Sequence, residues 1–436
     1  MRADRRVRAA VIAAVAALWL AGCAPGQPEQ RQQEAGPIDP ASFRGQTLDY
    51  VYFTDGPDEA ATRAQLARFE QQTGAKVNLQ IVPFADLEQT LQARINSGKP
   101  PGAARVESWR AYADSLVDMK RYFGAGYPDQ FVDGVAIQSQ TSDGRMLAVP
   151  SDLTMNGPLV NVDAFARAGV PLPSETAPWT WDQMVAAATA VQKANRMESA
   201  IAIDKSGHRL STVFSAYGTT IIGPDYRESL DPAKAGQALD TLNALAGSGG
   251  LLKDFWLESG SRYKGANDQF LAQQAPVYLS GNWQVGQFAK TATFRWAAAP
   301  NACAARCGGF PGGKYMVAFS GAPNPALGAY FVDWMNRADA QKALDEQAYW
   351  LPTRKDLVAS GVDYPQRAED MGVFLAEINK TPAETYATNG APAFSPAAKL
   401  VVVPQFAALV AGRQDTATTV RNIKSGVAEM VAKSGS

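Results

Sequence analysis

Leu48-Asp-Tyr-Val-Tyr-Phe53, followed by Thr-Asp-Gly-Pro and then Asp58 to Ile81, decides the fold class. Leu48 to Phe53 is an apolar and aromatic run of strand length. Asp58 to Gln72 carries Leu66 and Phe69 on one helical face, and Gly74 follows its end as a stop. Val77, Leu79 and Ile81 then alternate with polar residues, the period of a half-buried strand. This is a βαβ unit. Ala103 to Val106 reads as a third short strand, leading through Glu107, Ser108 and Trp109 into an amphipathic segment with Tyr112, Leu116 and Met119. Such alternation predicts an α/β protein with a mainly parallel sheet covered by helices. Ligands of these sheets sit at the carboxyl ends of strands, which directs attention to Thr54, Asp55, Glu107 and Trp109. Asp55 also suits a helix cap, and Trp109 also suits packing.

The N-terminus reads as an export signal. Arg2, Arg5, Arg6 and Arg8 precede an apolar run from Ala9 to Leu20 that is too short to span a bilayer. The run ends in Leu20-Ala-Gly-Cys23, which resembles the bacterial lipobox. That resemblance implies a signal peptide over 1–22 and a Cys23 that carries a lipid anchor. Residues 23–42, rich in Pro, Gln, Glu and Gly, read as a flexible tether. The expected location is the cell membrane, on its extracytoplasmic face.

Composition narrows the rest. A 436-residue chain with 46% hydrophobic content and no second long apolar run can bury large cores, and it suits two lobes. Lys and Arg number 41 against 42 Asp and Glu, with no basic run after the signal, so nothing favours nucleic acid as a partner. With Cys23 assigned to the lipobox, Cys303 and Cys307 remain as an even pair in an exported protein, and a disulfide is the favoured reading. The sole histidine, His208, lies in Lys205-Ser-Gly-His-Arg209, so zinc, any other metal site and a histidine triad are all disfavoured. No cofactor motif occurs.

Thr141 to Val170, with its Ser142-Asp-Gly-Arg-Met-Leu-Ala-Val-Pro150 and Val160-Asn-Val-Asp-Ala-Phe165 stretches, is similar to the middle of bacterial carbohydrate-binding proteins of ABC importers. There a hairpin precedes a crossing between lobes, then a strand and a helix. Trp179-Thr-Trp-Asp-Gln183 matches that family's helix start, and local chemistry agrees: Thr180 can cap, Gln183 can complete a capping box, and Trp179 can staple onto Met184. Asn267 to Trp283, Gly309 to Met335, and Tyr349-Trp-Leu-Pro-Thr-Arg354 resemble further family segments in the correct order. The resemblance runs from about residue 43 to 430.

It implies a two-lobed periplasmic-binding-protein-like fold with three hinge crossings and a ligand cleft between the lobes. One lobe would hold 43–152 plus 303–349, the other 153–300 plus 351–436. At the matched positions, Asp55, Glu107, Asp152, Asn156 and Arg354 are candidates for hydrogen bonding to sugar hydroxyls. Tyr217, Trp256, Trp283 and Tyr315 are candidates for covering the apolar face of a sugar ring. Gly312 and Gly313 would bring backbone N–H groups close to the ligand. Tyr217 and Trp256 suit lobe packing equally, and Arg354 suits a salt bridge between lobes. Three carboxylates and one arginine favour a neutral oligosaccharide or an amino sugar over a phosphodiester. The implied partners are a small carbohydrate and the membrane permease, with the binding protein a monomer. The rival classes are an exported glycosidase using paired carboxylates and a scaffold lipoprotein with no small ligand.

Overall fold

The computed structural model describes residues 38–54, 58–257 and 261–434. Cys23, the signal segment and most of the tether lie outside the described residues, as does Asp55.

Eight strands form the framework: β1 (Thr47–Tyr52), β2 (Lys76–Ile81), β3 (Ala103–Val106), β4 (Val149–Asn161), β5 (Ile201–Ile203), β6 (Val277–Gly281), β7 (Trp296–Ala298) and β8 (Pro311–Ala318). Their order is β2-β1-β3-β8-β4-β6-β5, with β7 also on β4. The βαβ reading of the opening stretch holds, because β1 pairs in parallel with β2 and β3 around a helix, α1 (Glu59–Thr73). The sheet as a whole is mixed, which corrects the expectation of a mainly parallel one. β8 runs antiparallel to both β3 and β4, and β4 runs antiparallel to β6 and β7. The cause is the crossings: a strand that returns from the far body enters the sheet reversed.

Side-chain alternation sorts the first body into two cores. Leu48, Tyr50 and Tyr52 pack with Phe69 of α1, and with Phe331 and Trp334 further along the chain, on one face; Val51 and Phe53 join Ala104, Val106, Tyr315 and Val317 on the other. The helices α2 (Asp133–Gln138), α3 (Trp181–Asn195), α4 (Gly207–Ala216), α5 (Pro325–Met335), α6 (Ala338–Ala348), α7 (Ala383–Gly390) and α8 (Thr416–Ser434) supply much of the remaining structure. A separate, larger core gathers β5 and β6, α3 and α4 and the C-terminal helices.

β4 belongs to both bodies. Val149 lies in the first core, and Leu153, Met155, Leu159 and Val160 lie in the larger one; all thirteen residues of the strand are buried. β8 pairs with it through Val149–Met316 at one end and Met155–Pro311 at the other. A third passage occurs at Leu351, whose N–H and C=O exchange hydrogen bonds with Leu153 at 3.2 and 2.8 Å. The stretch after Cys303 does not join the first body at once. Cys303 N–H donates to Trp179 O, Trp181 N–H donates to Cys303 O, and Arg306 N–H donates to Ala216 O. These bonds fasten Cys303 and Arg306 to the start of α3 and the end of α4.

Candidate functional site

Where β4, β8, β6 and the start of α4 converge, they enclose a cleft of about 200 Å³. Glu107 enters from the end of β3, Thr154 and Asn156 from β4, and Gly312, Gly313 and Lys314 from β8. Ser206, His208 and Arg209 come from the β5–α4 junction, and Trp283 from the turn after β6. Ser206 sets the helix start by accepting the His208 N–H at 3.2 Å, an N-cap that fixes the next two side chains at the cleft wall.

Arg209 organises this wall. Its Nη1 donates to Asn156 Oδ1 at 2.5 Å and its Nε to Asp204 Oδ2 at 3.2 Å, while its guanidinium lies 4.2 Å over the Trp283 ring. Asp204 is itself held by Tyr278 Oη–H at 2.8 Å and Ser280 Oγ–H at 3.2 Å. Asn156 donates its Nδ2–H to Phe310 O at 2.6 Å. The ring of His208 meets Phe394 edge-on at 5.0 Å and shares a hydrogen bond with Asn389 Oδ1 at 3.1 Å. Burial, reinforced by the charges of Arg209 and Lys314, lowers its pKa to about 3, so the imidazole is neutral at ordinary pH.

A second cavity of about 30 Å³ shares Glu107 and His208 with the first. Trp109, Arg110, Tyr315 and the 389–395 segment form its walls. Tyr315 donates its Oη–H to Gln138 Oε1 at 3.0 Å, and Trp109 Nε1–H reaches Gln138 O at 3.1 Å. Glu107 is half-buried at the junction of both cavities, and its carboxylate makes no hydrogen bond or ion pair among the described residues.

The sequence profile of bacterial extracellular solute-binding proteins matches residues 64–371, well over half of the chain. The chain belongs to this family. Among solved structures, this solute-binding protein is similar to the ABC substrate-binding protein of Listeria monocytogenes in complex with cycloalternan: TM-score 0.72, 18% identity, covering 89% of this chain and 99% of that one. It is also similar to the cyclic α-maltosyl-1,6-maltose binding protein of Arthrobacter globiformis, at TM-score 0.73 and 18% identity, covering 91% and 100%. A third is the GacH receptor of Streptomyces glaucescens, solved unliganded and with acarbose, at TM-score 0.70 and 16% identity, covering 89% and 99%. The fold is thus the two-lobed one. Comparison with curated proteins finds no match. The family and these neighbours are binding proteins, and the family is extracellular.

Of the residues singled out from the sequence of this solute-binding protein, Glu107, Asn156, Trp283, Gly312 and Gly313 line the cleft, and Tyr315 lines the smaller cavity beside it. At Gly313 a Cβ would stand 2.6 Å from Asp152 O, so the glycine is required by the close β4–β8 pairing as well as by the open wall.

Four others lie elsewhere. Asp152 points away from the cleft into a buried ion pair, its Oδ2 2.9 Å from Arg105 Nη2, with side-chain exposures of 0% and 1%. The Arg105 guanidinium is packed among Phe53 at 4.7 Å, Trp350 at 4.5 Å and Tyr52 at 5.5 Å. Arg354 is committed to Asp356 at 2.9 Å and to Gln130 at 2.5 Å and lines neither cavity. Trp256 is 3% exposed and sits edge-on to Phe406 at 4.7 Å in the larger core. Tyr217 bonds Thr241 Oγ1 at 2.7 Å and is not part of either cavity wall. The expected balance of three carboxylates and one arginine therefore does not describe the cleft. Arg209 and Lys314 line it, and sequence reasoning passed over both. Arg209 follows the carboxyl end of β5, the kind of address that marked Glu107, but β5 is a strand of only three residues. Cys303 and Cys307 are joined in a disulfide.

Proposed function

We propose that this protein captures a carbohydrate in the cleft and delivers it to the membrane permease of an ABC importer, held at the outer face of the membrane by a lipid on Cys23 after removal of residues 1–22. The observation that carries the ligand assignment is Glu107: a half-buried carboxylate without a partner among the described residues, placed where both cavities meet. Such an acceptor suits pairs of hydroxyls or an amino group. Facing it are the Arg209–Asn156 pair and the indole of Trp283, a combination of polar edge and flat face that suits a sugar ring. Arg209 has its charge met by Asp204, and Glu107 lines the same cleft as Lys314, a balance that favours a neutral oligosaccharide or an amino sugar. The solved neighbours that hold cycloalternan and acarbose support the same class.

The proposed lobes are 43–152 plus 311–349 and 153–310 plus 351–436, with closure of the cleft as the signal the permease reads. Glu107, Asn156, Trp283, Gly313 and Tyr315 are the proposed ligand contacts, joined by Arg209. Isothermal titration with maltose, glucosamine and a glycerophosphodiester tests the reading, together with melting scans. A sugar at 100 times its Kd should add about 2.7 kcal/mol to folding stability without product formation. Turnover of the sugar, or binding of the phosphodiester alone, would overturn it.

A further inference from the structure

Arg110 begins the short helical turn Arg110–Ser115, directly after Trp109 on the first body. Its Nη2 donates to Tyr226 Oη at 2.8 Å and its Nε to Gly390 O at 3.1 Å, and both acceptors belong to the second body in the proposed division. The guanidinium lies 4.4 Å over the Trp109 ring and 5.0 Å over the Tyr226 ring, so one planar cation is held between aromatic faces from the two sides.

The Tyr226 side is built to stay in place. Tyr226 has φ of 61°, left-handed backbone that an aromatic residue rarely adopts and that persists only where its surroundings fix it. They do: Tyr226 N–H donates to Gly223 O at 2.9 Å, Gly223 N–H to Arg227 O at 2.8 Å, and Ile222 bridges Glu228. Glu228 is tied in turn to Lys424 of α8 at 2.7 Å. The other acceptor, Gly390, ends α7, and at the same seam α7 meets α2 of the first body: a Cβ on Gly134 would meet the Tyr386 ring at 2.7 Å, and one on Gly390 would meet Gln138 at 2.7 Å.

We propose that Arg110 and Tyr226 form a latch across the cleft, positioning its two walls through contacts between protein groups alone and thereby setting how much of the protein is closed. The inference rests on the two-lobed division given above. A latch of this kind stabilises the closed form by the same amount whatever the ligand. Its loss lowers the affinity for every ligand by one common factor, whereas loss of a ligand contact changes selectivity.

Small-angle scattering of the purified protein without added sugar tests the latch directly. Tyr226→Phe removes one hydroxyl and keeps the ring, Arg110→Gln removes the fork, and Arg110→Lys keeps the charge on a single ammonium. The radius of gyration should rise in Tyr226→Phe and Arg110→Gln and lie between these and the parent in Arg110→Lys, with circular dichroism unchanged. For maltose and glucosamine, Kd should rise roughly tenfold in Arg110→Gln, by the same factor for each sugar that the parent binds. Scattering curves identical to the parent's, or a loss confined to one sugar, would overturn the proposal. Should neither sugar bind the parent, the carbohydrate reading fails while the scattering comparison still decides the latch.

Discussion

Arg209 holds its guanidinium 4.2 Å over the Trp283 ring while donating to Asn156 at 2.5 Å, so one face of the indole is already occupied by the protein. Nε and Nη1 are engaged with Asp204 and Asn156, while Nη2 makes no hydrogen bond among the described residues. Arg209→Ala should weaken saccharide binding by a factor of about ten or more in titration calorimetry, the scale of a hydrogen bond to a charged group. Arg209→Lys should not restore it, because an ammonium cannot lie flat on the indole and reach both partners. Affinity equal to the parent's in both variants would remove Arg209 from the site.

The Arg105–Asp152 pair is a question of stability. Asp152→Ala takes from the buried Arg105 guanidinium, packed among Phe53, Tyr52 and Trp350, the carboxylate that stands 2.9 Å from its Nη2. Breaking a pair of this kind costs about 3–5 kcal/mol, which a urea titration would register as a lower midpoint. A midpoint within error of the parent's would contradict the buried-pair account.

His208 gives the protein a sensitivity to acid. Its pKa falls from the ordinary 6.5 to about 3 on folding, so the unfolded chain binds a proton that the folded chain refuses. The stability from this residue is complete above about pH 6.5 and is lost progressively as the pH falls toward 3. Asp345 acts in the opposite sense. Burial raises its pKa well above 3.8, and neither carboxylate oxygen has a hydrogen-bond partner among the described residues, so it penalises folding as the pH rises above that value. His208→Gln, compared with the parent at each pH, should therefore flatten the loss below pH 6.5. Parallel curves would show that the histidine titrates normally.

The Cys303–Cys307 bridge closes a loop with a sequence separation of only 4. Chain entropy assigns about 2 kcal/mol to so short a loop. The double variant Cys303→Ser, Cys307→Ser should lose roughly that much in chemical denaturation. It should also loosen the turn where Arg306 meets Ser215 O and Glu384, readable as faster amide exchange at Arg306 and Trp181. Unchanged exchange there would confine the bridge to a local staple.

What could be read from the sequence was whatever has a period or a fixed local chemistry. The alternation through β1 and β2, and the Thr180–Gln183 capping box, with reciprocal bonds of 2.8 and 3.1 Å, are both present as expected. Trp179, expected to staple onto Met184, stacks on Phe165 at 5.7 Å, a partner fixed by tertiary packing. Glu107 was legible because a strand end is a topological address. Asp152 and Trp256 were misplaced because carboxylates and indoles serve buried pairs and cores as readily as ligands, and only the fold separates the two uses. Arg209 was hidden by β5, whose three residues are too few to announce a strand from composition.

β3 pairs with β1 on one side, but on its other side its neighbour is β8, through the pairing of Val106 with Tyr315. The sheet of the first body therefore waits for a segment roughly two hundred residues downstream, a contact of high sequence separation whose closure is slow. During synthesis the N-terminal third emerges long before it can finish its own sheet, and it exists until then with an open edge at β3. The pairing that joins the two ends of the folded sheet is therefore also the step that its N-terminal third must wait for before its last edge is covered.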